Sequence, residues 1–295
     1  MALSNIRVGT PLALTMVCLA LSAAPAQDRQ AAAGLHLDHT PIVVRDLAVA
    51  AAEFRAFGFT IKPGRPHTDG IENASIKFAD GSYLELITSH DGSDAVSREY
   101  QDFLKRQEGA KYVFLRDEAK AGVSEQAIQA GGRRSTSGAF EFTELPSSWQ
   151  APRLQLIRYL APSGDSAATY QHANTARRLV AIWMLVDGRA TPLARALGAR
   201  PGGLASWTFG DRDADAVPLA DGTCLMLVPR RGDDPPLSTA LGVLVEVESL
   251  ERLAPAVRAA AATRGPVDWL GPSRARGVWL GFVARPAWGA GRCGR

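Results

Sequence analysis

The residues of this chain best suited to chemistry are few: five histidines (His36, His39, His67, His90 and His172) and one carboxylate, Glu85, set in an apolar run. In Tyr83-Leu84-Glu85-Leu86-Ile87, strand alternation puts Tyr83, Glu85 and Ile87 on one face and Leu84 and Leu86 on the other. A carboxylate in such surroundings is costly to bury unpaired. Two uses are open to it, an ion pair with Arg45 or Arg158 inside the sheet, or proton transfer as a general base. His39 opens the β-branched run His39-Thr40-Pro41-Ile42-Val43-Val44, as either a core histidine bonded to backbone or a functional imidazole. His67, in Gly64-Arg65-Pro66-His67, and His172, before Ala173-Asn174, fall in loops, where exposure is the default. His36 and His90 have no partner pattern and read as surface. Arg133-Arg134 reads as a solvated turn, and Glu246 with Glu248 as the exposed face of an edge strand.

Other chemistries lack their motifs. There is no nucleophile elbow, phosphate loop or dinucleotide fingerprint, which removes most support from hydrolase and nucleotide-dependent readings. A formal net charge of +3, with basic residues scattered rather than clustered, excludes a strongly electrostatic nucleic-acid binder. Three cysteines are too few for a disulfide scaffold or a Cys-based zinc site, and no spacing pairs Cys224 with Cys293.

The elements that must position these residues repeat. A β-branched run, Asp46 as a helix cap, a helix over 47–57 and Gly58 make a strand-helix phrase. It returns at Tyr112–Asp117 with a helix through Val123, Ala127 and Ile128. It returns again at Ala181–Asp187 with a helix over 190–197, and at Val243–Val247 with a helix over 250–262. Strand-like runs fill each interval, joined in the first and third copies by Asp80-Gly81 and Asp221-Gly222, strong hairpin turns. Each unit reads βαβββ, so the fold class is α+β. Four units make two pairs, joined near residues 173–178.

The tandem βαβββ pattern, with Leu37-Asp38-His39 opening the first strand and Tyr83-Leu84-Glu85-Leu86-Ile87 closing the unit, resembles the vicinal oxygen chelate superfamily of glyoxalases, bleomycin-resistance proteins and extradiol dioxygenases. More narrowly, His67, Asn73 before the third strand and Tyr170-Gln171-His172-Ala173-Asn174 resemble its glyoxalase-like domain subgroup. The close match covers about residues 35 to 176. The resemblance implies units pairing into open, cup-shaped mixed sheets whose first and last strands point ligands inward. His39 and Glu85 would then be metal ligands, for Zn, Mn, Fe or Ni, with Glu85 also the candidate catalytic base. His67, Asn73, Tyr83 and His172 would contact substrate. The second unit departs from the pattern: its matching positions are Ala110 and either Gln155 or Arg158. In the third unit they are about Val180 and Met226, which cannot coordinate.

Arg7, the uncharged run from Pro11 to Leu21, and Ala24-Pro25-Ala26 before Gln27 have the form of a cleaved secretory signal, shorter than the ~20 residues of a membrane span. The expected organisation is a signal peptide at 1–26, a glyoxalase-like domain at 27–176, a degenerate second domain at 177–285 and a flexible tail at 286–295. The protein would be periplasmic or secreted, without a membrane span after cleavage, its C-terminal half serving a structural or homodimerising role. Two functions stay open: metal-assisted isomerase, lyase or dioxygenase chemistry on a small molecule, and metal-free binding of one.

Overall fold

A computed structural model of the chain describes residues 34–64, 70–119, 122–151, 153–162, 164–187, 192–197, 212 and 214–288. His67, the expected leader, Cys18 and Cys293 lie outside the described residues.

The first unit is β1 (Leu35–Val43), α1 (Leu47–Ala56), β2 (Lys62–Pro63), β3 (Ile71–Lys77) and β4 (Tyr83–Ser89). Asp46 accepts the Val49 N–H at 2.9 Å and so caps α1, which buries Ala50, Ala51 and Phe54 against the sheet. The β3–β4 turn uses Gly81 at φ +86° while Asp80 accepts from the Ser82 backbone at 3.0 Å. A helix absent from the repeat follows, α2 (Ala95–Leu104). Its start is closed by a reciprocal Asp94–Ser97 capping box, and Tyr100 and Phe103 lie on Val43, Ile71 and Ile87.

The chain continues through β5 (Gly109–Ala110) into the second unit: β6 (Val113–Asp117), α3 (Val123–Gln129), β7 (Arg133–Ser137), β8 (Phe140–Glu144) and β9 (Leu154–Tyr159). The third unit has β10 (Ala176–Val186), α4 (Pro192–Ala196), β11 (Asp215–Pro218) and β12 (Cys224–Pro229). The fourth has β13 (Ala240–Val247), α5 (Pro255–Ala260), β14 (Ala262–Arg264), β15 (Val267–Leu270) and β16 (Trp279–Ala284), then α6 (Arg285–Trp288).

Every unit pairs its first strand in parallel with its last: β1 with β4, β6 with β9, β10 with β12 and β13 with β16. Units then pair antiparallel, β1 with β6 and β10 with β13. The two pairs share one sheet, because Ala110 of β5 sits opposite Ile42 on one side and Ala240 on the other. The helices cover one face of that sheet, over Leu84, Leu86, Leu115, Leu156, Val243 and Val245. The opposite face forms the cups.

Three local expectations change. The fourth-unit helix does not run from 250: Pro255, which cannot sit inside a helix, opens α5, and Leu250–Arg252 form a separate 3-10 turn. Gly265, beyond that helix, turns the β14–β15 hairpin at φ +60°. Arg133 and Arg134 begin strand β7, their charges met by Glu144 and Glu125. Glu246 lies on central strand β13, buried, and pairs with Arg178 at 3.0 Å.

Candidate functional site

The first cup is built on an irregularity in β1. Pairing with β6 runs Leu37 to Leu115 and then His39 to Phe114, leaving Asp38 as the extra residue of a bulge. A regular strand would send Asp38 and His39 to opposite faces; the bulge turns both inward. Their side chains meet, with His39 Nδ1 2.5 Å from Asp38 Oδ1. The imidazole is clamped flat between Tyr83 of β4 and Phe114 of β6, each ring centroid 4.2 Å away and the planes within 10° of parallel. Two such ring contacts fix the plane of the imidazole, and the Asp38 contact sets which nitrogen faces it.

That orientation divides the ring's two nitrogens. Asp38 accepts, so Nδ1 carries the proton and donates it, while Nε2 faces Glu85 Oε2 at 3.8 Å. Asp38 is fully buried and also accepts from the Tyr159 hydroxyl at 3.0 Å. The Tyr83 hydroxyl in turn bonds that of Tyr159. Burial pushes both phenols well above their ordinary range, and Glu85 and Asp38 for Tyr83, and Asp38 for Tyr159, push the same way. Asp38 Oδ2 makes no hydrogen bond, and Arg116 Nη1 stands 3.6 Å from it.

Glu85 is held from behind. Asn73 on β3 donates to Glu85 Oε1 at 2.6 Å, leaving Oε2 toward His39. Asn73 Oδ1 is buried without a hydrogen bond and lies against Gly64, where an added Cβ would fall 1.6 Å from it. Neither ion pair offered for Glu85 forms: Arg45 bonds the Leu104 carbonyl, and Arg158 pairs with Glu141 at 3.3 Å. Lys77, the β3 residue opposite Tyr83, lays its ammonium 3.5 Å above the Tyr83 ring centre.

The second unit adds Phe114, Arg116 and Tyr159 to this face, and Gln155 stands opposite Phe114. Ala110, which counting back from Asp117 matches His39, instead lies in β5 within the helix-side core. Among the described residues, no three His, Cys, Asp or Glu are grouped to hold a metal ion. The donor pair His39 Nε2 and Glu85 Oε2, 3.8 Å apart, is wider than the roughly 3.0–3.4 Å between two ligands about 2.1 Å from one divalent ion, so the two side chains would draw together to hold one. Asp38 on the far ring nitrogen is the partner that a ligating histidine needs.

His172 is not in the cup. Its Nδ1 accepts from the Thr60 backbone at 3.0 Å, its Nε2 donates to the Lys77 carbonyl at 2.9 Å, and its ring packs edge-on against Phe59 and Phe78 of the helix-side core. Both nitrogens are committed, so it ties the segment after β9 to β3. Burial holds its pKa below the ordinary histidine value of 6.5, the Lys77 carbonyl pulling partly back. The unfolded chain therefore takes up this proton first. Stability from His172 is complete above about 6.5 and falls as the pH drops below it. A His172→Gln chain should lose that part of the slope in denaturant midpoints measured between pH 5 and pH 7, about the window in which histidine titrates.

The C-terminal cup repeats the architecture without the chemistry. β10 carries a bulge at the same place, between Leu179 and Ala181, so Val180 matches Asp38 and Ala181 matches His39, one residue beyond the position that counting suggests. Met226 takes the place of Glu85, and Trp183, Trp269 and Trp288 fill the space. A separate groove of about 390 Å³ beside α2 is lined by Phe103, Lys111, Arg153 and Leu237 among others; its buried Lys111 is paired with Glu99 at 2.6 Å, and none of the cup residues borders it.

Asp38, Lys77 and Phe114 escape sequence reasoning as site residues. Asp38 neighbours His39 on a strand, where alternation argues against a shared face. Only the bulge, which leaves no mark in residue type, reverses that.

The fold has solved counterparts. A hypothetical protein from Staphylococcus aureus superposes with a TM-score of 0.55 at 10% identity, over 85% of this chain and 99% of that one. An extradiol ring-cleaving dioxygenase from B. fuscum gives 0.55 at 14% identity, over 87% and 73%. A mutant of 4-hydroxymandelate synthase from Streptomyces coelicolor gives 0.55 at 10% identity, over 83% and 91%. No curated protein matches the chain. Residues 37–200 match the family described as "Glyoxalase-like domain". With its parallel first-to-last strand pairs and its inward His39 and Glu85, the chain belongs to that family, within the vicinal oxygen chelate superfamily.

Proposed function

We propose that the chain is an exported protein that binds a small organic molecule in its N-terminal cup and catalyses proton transfer on it, of isomerase or lyase type, through His39 and Glu85. One observation carries this reading: Nε2 of His39 and Oε2 of Glu85 face each other at 3.8 Å, and in the neutral tautomer that gives its Nδ1 proton to Asp38 neither atom carries one. Two acceptors so placed take up a proton, a hydrogen-bond donor or a cation. Glu85 is the base, because Asn73 occupies its other oxygen and fixes the free one. His39, held by Asp38 and the two rings, receives or returns the proton at Nε2. Tyr83 and Phe114, both largely buried, limit water at the pair.

A divalent ion, where bound, supplies Lewis acidity toward substrate oxygens. His39 Nε2 and Glu85 Oε2 would hold it in place of a proton, with water or substrate completing the shell, so an ion at this pair and proton transfer by these two atoms are alternatives. A second reading, metal-free binding without turnover, draws on the lack of a third ligand among the described residues. Metal analysis of the mature chain purified without chelator decides whether an ion occupies this pair, and turnover by the metal-free chain separates proton transfer from binding alone. Near-stoichiometric metal that disappears in His39→Ala and Glu85→Gln supports the ion at this pair. Content well below one per chain, with no rise on reconstitution, leaves the metal-free reading.

Export is supported by the basic, apolar and Ala-Pro-Ala segments of the first 26 residues and by Cys224, which is disulfide-bonded. The partner of Cys224 lies outside the described residues, and the bond is assigned to the exported chain. Thiol titration of the unfolded mature chain should find no free thiol before reduction. One or more free thiols would overturn the assignment.

A further inference from the structure

We infer that Lys77 binds a negatively charged oxygen of the ligand, so that the cup takes small carboxylates or carbonyl compounds that pass through an enolate. This deepens the reading above and rests on it. Lys77 and Glu85 lie on neighbouring strands, β3 and β4, as diagonal neighbours: Lys77 is opposite Tyr83, and Glu85 is opposite Ser75. The Lys77 ammonium caps a pile of parallel rings, lying 3.5 Å over Tyr83, which stacks on His39, which stacks on Phe114. Among the described residues it makes no hydrogen bond or ion pair, so all three of its N–H donors are unspent. The acidic groups around it are largely engaged. Asp165 pairs with Lys62, Asp38 holds His39 and Tyr159, and Glu85 holds Asn73.

A half-buried ammonium whose contact is a ring face still lacks a hydrogen-bond acceptor, and burial lowers the Lys77 pKa, with Asp165, Asp38 and Glu85 pulling back. A ligand oxyanion would complete it. Beside a carboxylate base, such an ammonium is also where the charge of an enolate would be stabilised once Glu85 removes the proton.

The chain has only five lysines, so its 13C-dimethylated lysine spectrum is readable one residue at a time. The mature chain, methylated with formaldehyde and borohydride, would be titrated separately with acetate, pyruvate and benzoate, with Lys77→Arg identifying the signal. The Lys77 resonance should move on titration with at least one of the three. By calorimetry on unmodified protein, Lys77→Met should bind that probe at least about tenfold more weakly, and Lys77→Arg should retain it. Far-ultraviolet circular dichroism would confirm that both variants are folded. A Lys77 signal that none of the three moves overturns the proposal. So does Lys77→Met binding with wild-type affinity. If that happens while Glu85→Gln loses binding, the anion role fails and the proposed function stands. If neither variant matters, both fall. Borohydride-trapped imine between Lys77 and pyruvate would also overturn it, since the amine would then be a nucleophile rather than a bound cation.

Discussion

An Asp38→Ala chain is expected to lose about 3–5 kcal/mol of stability, since a buried charge is removed from partners that stay behind. Asp38 is fully buried, and its carboxylate serves His39 Nδ1, the Tyr159 hydroxyl and the Arg116 guanidinium. With it gone, two donors and a cation face an apolar gap. The same change frees the imidazole to turn or to shift its proton to Nε2. Chemistry at the His39–Glu85 pair should therefore fall even in molecules that remain folded. Urea unfolding gives the first effect, and ligand or metal binding at a temperature where the variant is folded gives the second. A variant within about 1 kcal/mol of wild type would show that Asp38 does not organise the cup.

Trp183→Ala should cost a similar amount, about 3–5 kcal/mol, and leave the site untouched. Trp183 is fully buried in the C-terminal cup, with Trp269 edge-on at 5.3 Å, and Ala181 and Met226 complete its apolar surroundings. Here the bulge and the parallel first-to-last pairing of the N-terminal cup recur, but Val180, Ala181 and Met226 replace Asp38, His39 and Glu85. Removing buried polar groups takes away their desolvation cost, and filling the space with indoles adds packing. Met226→Ala should follow the same pattern with a loss of about 2–5 kcal/mol. Stability would be read by thermal unfolding and site integrity by probe binding to the folded variant. Loss of binding from a folded Trp183→Ala chain would place the ligand in the C-terminal cup.

The repeated unit was legible because its signals are local. Asp46 before an apolar helix, Asp80-Gly81 and Asp221-Gly222 between strand runs, and Glu85 alternating with Leu84 and Leu86 each state their conformation within a few residues. The α2 helix carried equal signals, Asp94 with Ser97 and then Tyr100 and Phe103 on one face, but stands outside the repeat. What could not be read was the offset between strands. A bulge depends on the pairing partner, and it decides that Asp38 joins His39, that Val180 matches Asp38 rather than His39, and that Ala110 faces the helices. The edge-strand reading of Glu246 fails for a related reason: whether a charged strand is at an edge depends on distant elements, here β10 and β16 flanking β13. His172 falls in a loop by its neighbours in sequence, yet its partners, Thr60 and the Lys77 carbonyl, lie about a hundred residues away in the chain.

The placement of the proton on His39 tests the account most directly. Long-range 1H–15N spectra of the mature, 15N-labelled chain at mildly alkaline pH report which nitrogen of each neutral ring is protonated. His39→Ala identifies the His39 signals, and His172 provides a contrast in the same spectrum, since its Nδ1 accepts from Thr60 and its proton belongs on Nε2. The account predicts that His39 carries its proton on Nδ1, with a bare Nε2 whose resonance shifts in Glu85→Gln while the Nδ1 proton stays. A His39 ring protonated at Nε2, or one whose Nε2 does not respond to Glu85→Gln, would contradict it.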